Sequence, residues 1–272
     1  MRTIVHISDL HFGRTETALE EALRGTIMAR QPDLIIVSGD LTQRATRAQF
    51  AEAKKFFASL PYPILIVPGN HDVPLYSFWT RFTRPYAKYR EHISDDLEPL
   101  FQDDEMLVVG INTVRIFKMK EGRVNAKQIE RARSILMSTP AEKIKIIVSH
   151  HPFNIPVGHY KRPLSQARKF WKELEAMGVD LFLSGHLHDT LERYRDRAYK
   201  LSSAGPLLIQ AGTAISTRTR KEGNSFNVIR ITSRTMRIER YAAHHERRDF
   251  SVVRTEEFTR NKTGWQRKET AV

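Results

Sequence analysis

The 272-residue chain carries 44 Lys and Arg against 31 Asp and Glu, a formal net charge of +13. It has no cysteine, which excludes disulfides, thiolate metal sites and cysteine nucleophiles and suits a reducing compartment. A basic balance of this size attracts phosphate-bearing substrates, nucleic acid or an anionic membrane, and it equally describes a solvated arginine-rich surface.

The amino terminus enters a strand-like run at Thr3 without a charged leader and apolar region, and no stretch approaches the ~18 to 20 apolar residues that span a bilayer. A soluble cytoplasmic protein is expected. Apolar β-branched runs then alternate with helical patterns, as in an α/β or α+β sandwich. Thr3-Ile4-Val5-His6-Ile7 reads as a strand that runs into Asp9-Leu10-His11. Leu19, Ala22, Leu23 and Ile27 share one helical face, with Thr15 or Thr17 as the cap. The strand Leu34-Ile35-Ile36-Val37 leads to Gly39-Asp40, and Phe50, Ala53, Phe57 and Leu60 form a second helical stripe behind a Thr46-x-x-Gln49 capping box. Ile64-Leu65-Ile66-Val67 leads to Gly69-Asn70-His71-Asp72.

Residues 74–105 interrupt the alternation with an aromatic, basic half and an acidic half, read as a partly helical cap beside the third segment. A helix with Ile129, Ala132 and Leu136 follows Asn125, and the strand 144–148 ends in Ser149-His150-His151. Phe170, Trp171, Leu174 and Met177 form another stripe between Ser165 and a stop at Gly178, and the strand 181–183 leads to Gly185-His186-Leu187-His188. Antiparallel strands around 207–210, 226–231 and 236–241 come next. Residues 215–240 hold seven Lys or Arg against Glu222 and Glu239, a candidate basic face. One domain over 1–245 is expected, and the weakly patterned stretch 246–272 reads as a tail, flexible or docked on a partner subunit of a homo-oligomer.

Five strand ends thus carry His, Asp or Asn. Asp9 and His11, two apart, project to the same side, so one metal can take both. Gly39 lets the chain turn so that Asp40 projects from the sheet edge, and its two oxygens can bridge two cations. Asn70, His71 and Asp72 come from a third strand end, and His150, His186 and His188 from later ones. Ligands collect at this edge of open sheets. No one of these residues means much alone; together they point to two divalent ions with nitrogen and oxygen ligands, suited to Mn, Fe, Zn or Co.

The ordered series Asp9-x-His11, Gly39-Asp40, Gly69-Asn70-His71-Asp72, His150 and Gly185-His186-x-His188 resembles that of the calcineurin-like metallophosphoesterase superfamily. Ile7-Ser-Asp-Leu-His-Phe-Gly13, Ser38-Gly-Asp-Leu-Thr42, Val67-Pro-Gly-Asn-His-Asp-Val73 and Ser149-His-His-Pro-Phe153 bring it nearest to the class III cyclic nucleotide phosphodiesterases. The resemblance covers residues 3 to about 230 and implies a four-layer αββα sandwich. It implies that Asp9, His11, Asp40 and His188 hold one metal, that Asp40, Asn70, His150 and His186 hold the other, and that His71 faces the substrate with Asp72 orienting it. Two ions sharing a carboxylate can also share a water and bring its pKa near neutrality, for attack on a phosphoester.

Gly39-Asp-Leu-Thr-Gln-Arg-Ala45 and the closing Asp72 depart from the protein phosphatase pattern Gly-Asp-Tyr-Val-Asp-Arg-Gly with a closing Glu. A hydrolase acting on a small phosphodiester is expected, first a 3′,5′- or 2′,3′-cyclic nucleotide. The alternatives are glycerophosphodiesters or nucleotide-lipid pyrophosphates at a membrane surface, with the arginines of 215–240 as anchor, or a nuclease. Nucleic acid is disfavoured because no dedicated binding module is visible. A scaffold without catalysis is disfavoured because all seven ligands and His71 are present. His151, Asn112, Thr213 and Asn224 read as structural.

Overall fold

A computed structural model of the chain describes residues 1–118, 121–152, 167–186, 205–218, 223–261 and 264–268. In chain order its elements are β1 (Arg2–Ile7), α1 (Thr17–Arg30), β2 (Leu34–Val37), α2 (Arg47–Ala58), β3 (Ile64–Ile66), α3 (Phe78–Thr83), α4 (Ala87–His92), β4 (Leu100–Gln102) and β5 (Met106–Ile111). They continue with α5 (Ala126–Met137), β6 (Ile144–Ser149), α6 (Ala167–Ala176), β7 (Leu181–Ser184), β8 (Leu207–Gln210), β9 (Ser225–Ile231), β10 (Thr235–His244), β11 (Asp249–Asn261) and β12 (Gly264–Arg267).

The strands form a seven-stranded sheet in the order β12-β11-β10-β9-β1-β2-β3 and a five-stranded sheet in the order β4-β5-β6-β7-β8. Strand alternation sorts the apolar side chains into three layers. Val5, Ile7, Ile35 and Val37 pack under α1 and α2 with Leu19, Leu23, Phe50 and Phe57. Ile4, Leu34 and Ile36 face Val108, Ile146, Val148 and Leu183 across the gap between the sheets. Leu107, Val109, Ile147 and Phe182 lie against Ile129, Leu136, Phe170 and Leu174 of α5 and α6. The result is the expected αββα sandwich.

Local signals explain most helix ends. Thr46 accepts from the Gln49 amide, and Asn125 and Gln128 cap each other across the start of α5. Gly178 adopts φ 67° just after α6. The start of α1 departs from expectation: Glu16 occupies the cap position without a side-chain hydrogen bond, and Thr17 is already helical. Ser165 lies outside the described residues.

Three further readings change. The 74–105 insertion holds α3 and α4, but its acidic half also supplies β4, an edge strand that pairs antiparallel with β5. The stretch after 246 is not a loose tail over its described length, because β11 pairs with β10 along ten registered positions and β12 closes on β11. The described arginines of 215–240 do not all share one face. Arg230 and Arg237, register partners on β9 and β10, both bind Glu239, whereas Arg240 is buried. Arg220 and Lys221 lie outside the described residues. Among the described residues, no helix is long and apolar enough to cross a membrane.

Candidate metal centre and active site

Parallel pairing of β1 with β2 puts the first two motif segments side by side. Register continues past the strand ends, where Asp9 N–H donates to the Gly39 carbonyl and His11 N–H to the Asp40 carbonyl, each at 3.0 Å. Glycine is required where β2 and β3 hand over to their loops. A Cβ on Gly39, at φ 90°, would sit 2.8 Å from the Gly69 Cα, and one on Gly69 would collide with the Asp40 backbone. Asp9, His11, Asp40 and His186 themselves hold φ of 51°, 52°, 54° and 77°. Left-handed backbone costs a non-glycine residue energy, and such residues gather at functional sites.

Two buried groups of candidate ligands result: Asp9, His11 and Asp40, and His150, His151 and His186, each with one atom per residue lying within 4.8 Å of the others. Asp40 faces both groups. Its Oδ2 is 3.8 Å from His11 Nε2, and its Oδ1 is 3.4 Å from His150 Nε2. The two groups are also tied across the sheets, since His186 N–H donates to Asp9 Oδ2 at 2.8 Å and His150 Nδ1 meets the Ser38 carbonyl at 2.8 Å.

That last contact settles the tautomer of neutral His150, because a carbonyl only accepts and Nδ1 must carry the proton. The lone pair on Nε2 then points at Asn70 Oδ1 and His186 Nδ1, each 3.1 Å away, and toward Asp40 Oδ1. In that neutral form the Nε2 lone pair faces the oxygens of Asn70 and Asp40 with no proton between them. This donor set fits a divalent cation. His11 repeats the arrangement, with Nδ1 3.4 Å from the Thr42 carbonyl and Nε2 toward the carboxylates of Asp9 and Asp40. Burial works against charge at both His150 and Asp40, yet their mutual attraction wins. His150 is pushed up to about 9, and His150, His71 and His11 hold Asp40 well below the usual carboxylate range.

His71 and Asp72 sit in a single 3₁₀ turn, Asn70–Asp72. His71 N–H donates to Asp40 Oδ1 at 2.8 Å, and its ring stands edge-on to that of His11 with centroids 4.9 Å apart. Its orienting partner is not Asp72. His71 Nδ1 lies 2.9 Å from the Gln43 carbonyl, while the Asp72 carboxyl takes N–H donors from Leu41, Thr42 and Gly69 and the Thr42 hydroxyl. Asp72 follows His71 by one residue in a tight turn that points its side chain back into the loop after β2, so it fixes two loops rather than a ring. Burial and the nearby Asp40 charge push it up to about 7 despite those donors.

His188, expected at the first metal, lies outside the described residues; Asp9, His11, Asp40, Asn70, His71, His150 and His186 gather in one place. Of the residues read as structural, Thr213 donates to the Asp9 carbonyl at 2.6 Å, and His151 stands among the candidate ligands with Nδ1 2.8 Å from Thr113 Oγ1. Asn112 bonds Tyr86, and Asn224 bonds the Ser216 carbonyl. Sequence patterns missed Gln43, which acts through its backbone and leaves no side-chain signal. They also placed Arg218 on a basic face, whereas its Nη1 lies 3.5 Å from His71 Nε2 and 3.3 Å from Gln43 Oε1.

A profile of the calcineurin-like phosphoesterase family matches residues 2–190. The chain is 23% identical over 217 residues to a protein of Arcobacter nitrofigilis named probable glycerophosphodiester phosphodiesterase, covering 75% of this chain and 78% of that one. It is 26% identical over 206 residues to the 3′,5′-cyclic adenosine monophosphate phosphodiesterase of Escherichia coli strain K12, covering 70% of each. In fold it is similar to a purple acid phosphatase from yellow lupin (Lupinus luteus), with a TM-score of 0.69 at 12% identity, over 96% of this chain and 54% of that one. With the profile spanning most of the chain and both ligand groups assembled where its motifs end, this protein belongs to the calcineurin-like phosphoesterase family, whose members hydrolyse phosphoesters with a pair of divalent metal ions.

Proposed function

We propose that the chain is a binuclear metal-dependent phosphodiesterase acting on small phosphodiesters. The observation that carries this is Asp40, whose two oxygens face two separate buried ligand groups. Asp9, His11, Asp40 and His188 would hold one cation, and Asp40, Asn70, His150 and His186 the other. Bound there, the ions supply water activation and draw charge from the phosphoryl oxygens. The chain's own residues supply the rest. Gln43 and Thr42 carbonyls set the rings of His71 and His11, and the Ser38 carbonyl sets His150. With Nδ1 committed to Gln43, His71 presents Nε2 to the pocket, from which the protonated ring would donate to the departing oxygen. Asp72 keeps His71 in place by tying the loops after β2 and β3 together.

Diesters rather than monoesters are favoured by the similarity to the Arcobacter and Escherichia proteins, which are named for a glycerophosphodiester and a cyclic nucleotide. Both classes belong in a hydrolysis panel. Manganese-loaded protein should cleave bis(p-nitrophenyl) phosphate well and p-nitrophenyl phosphate poorly, and the reverse order would refute a diesterase. In the same assay Asp40→Ala should lose activity and most of both metals, whereas His71→Ala should retain metal and lose ~10²- to 10⁴-fold in turnover.

A further inference from the structure

Beside His71 lies a pocket of 190 Å³ lined by Gln43, Arg44, His71, Val73, Leu75 and Arg218 together with the candidate ligand Asn70. Its described lining carries two guanidinium groups and no carboxylate. Arg218 stands beside His71, 3.5 Å from Nε2, and Arg44 stacks over the Tyr76 ring at 5.0 Å from its centroid. Neither makes an ion pair among the described residues. Both cations have neutral partners: Arg218 donates to Gln43 Oε1 and its amide to Ser216 Oγ, and Arg44 lies over the Tyr76 ring. Two guanidinium groups with no anion among the described residues, next to the group proposed to meet the departing oxygen, suit a negatively charged arm.

We infer that this pocket is an anion subsite for the leaving arm of the substrate, so that diesters whose leaving arm carries a phosphate are taken in preference to those whose arm is neutral or cationic. The inference rests on the phosphodiesterase reading and narrows its substrate class. For a pyrophosphate diester the step balances simply. Water adds to one phosphorus, the bond from that phosphorus to the bridging oxygen breaks, and the departing phosphate takes the electron pair. The departing phosphate oxygen takes a proton from protonated His71, and the proton released by the water goes to solvent, from which His71 is reprotonated. Arg218 meets the charge that develops on the departing group, and Arg44 meets its far side. A choline or ethanolamine arm would instead bring a cation against two guanidinium groups.

The test compares diadenosine 5′,5′-pyrophosphate with the dinucleoside monophosphate ApA on the manganese-loaded protein. It is paired with calorimetric binding of AMP and of adenosine. The expected result is a kcat/KM ratio above about 10 in favour of the pyrophosphate, and binding of AMP at least about tenfold tighter than adenosine. Arg218→Ala and Arg44→Ala should each cut both ratios about tenfold, mainly through KM, and Arg44→Lys should restore part of the loss. Ratios near 1 in the native protein, or unchanged ratios in both variants, would overturn the subsite. If ApA and the pyrophosphate were both left uncut, the phosphodiesterase reading would fall, while the AMP measurement would still decide the subsite.

Discussion

Side chains at this site are positioned largely by backbone carbonyls. His11, His71 and His150 each turn one ring nitrogen to a carbonyl of the loops after β2, from Thr42, Gln43 and Ser38, and so each presents the other nitrogen to the chemistry. The candidate ligands stood out in the sequence because histidine and carboxylate types at strand ends are chemically specific. The orienting partners were not, since a carbonyl looks the same under any residue, which is why Asp72 was credited with the role of Gln43. A neighbouring histidine shows the opposite economy. His6, fully buried on β1 with Nε2 3.0 Å from Ser38 Oγ, is held down at about 3 by burial, which outweighs the pull of Asp9. Its folded value lies below the unfolded 6.5, so the unfolded chain takes the proton first. Stability is whole above pH 6.5 and falls toward pH 3, by up to ~1.4 kcal/mol per pH unit. His6→Gln should remove about one proton from that slope in urea denaturation between pH 6.5 and 4; an unchanged slope would show that His6 is not the group responsible.

Among the elements, the αβ alternation of the first 150 residues was readable because each strand and helix buries an apolar face of regular period. β11 was hidden because its inward positions are shared between apolar and charged residues. Phe250 and Phe258 are buried, but so is Glu256, bound by Arg254 at 2.9 Å and Arg267 at 3.2 Å. A strand that buries an ion-paired carboxylate gives no clean apolar alternation. The β11–β12 hairpin is also anchored to the second sheet. Trp265 donates from Nε1 to Asp180 Oδ1 at 2.9 Å, Arg260 reaches the same oxygen at 3.2 Å, and Asp180 Oδ2 accepts the Lys145 amide. Trp265→Ala should therefore cost about 3–5 kcal/mol in chemical denaturation. A loss within ~0.5 kcal/mol, the size expected of a surface substitution, would show the hairpin to be an appendage rather than core.

Across the whole molecule the candidate ligands come from both sheets, Asp9, His11, Asp40 and Asn70 from the seven-stranded one and His150 and His186 from the five-stranded one. A cation held by both groups would close the sandwich along its open edge. Binding to the folded chain alone adds RT ln(1 + [L]/Kd), about 2.7 kcal/mol at a hundredfold excess over Kd. The melting temperature should therefore climb with manganese concentration in the native protein and stay flat in Asp40→Ala; parallel climbs would place the effect elsewhere.

The left-handed backbone at Asp9, His11, Asp40 and His186 also limits which residues can replace them. Aspartate, asparagine and histidine tolerate that conformation better than most other non-glycine residues, and they are also good ligands for such metals. Two selections, one for backbone geometry and one for coordination, fall on the same narrow alphabet. A glutamate would offer the same carboxylate but would be less at ease in that conformation as well as too long. The motif's vocabulary is thus as much a conformational code as a chemical one.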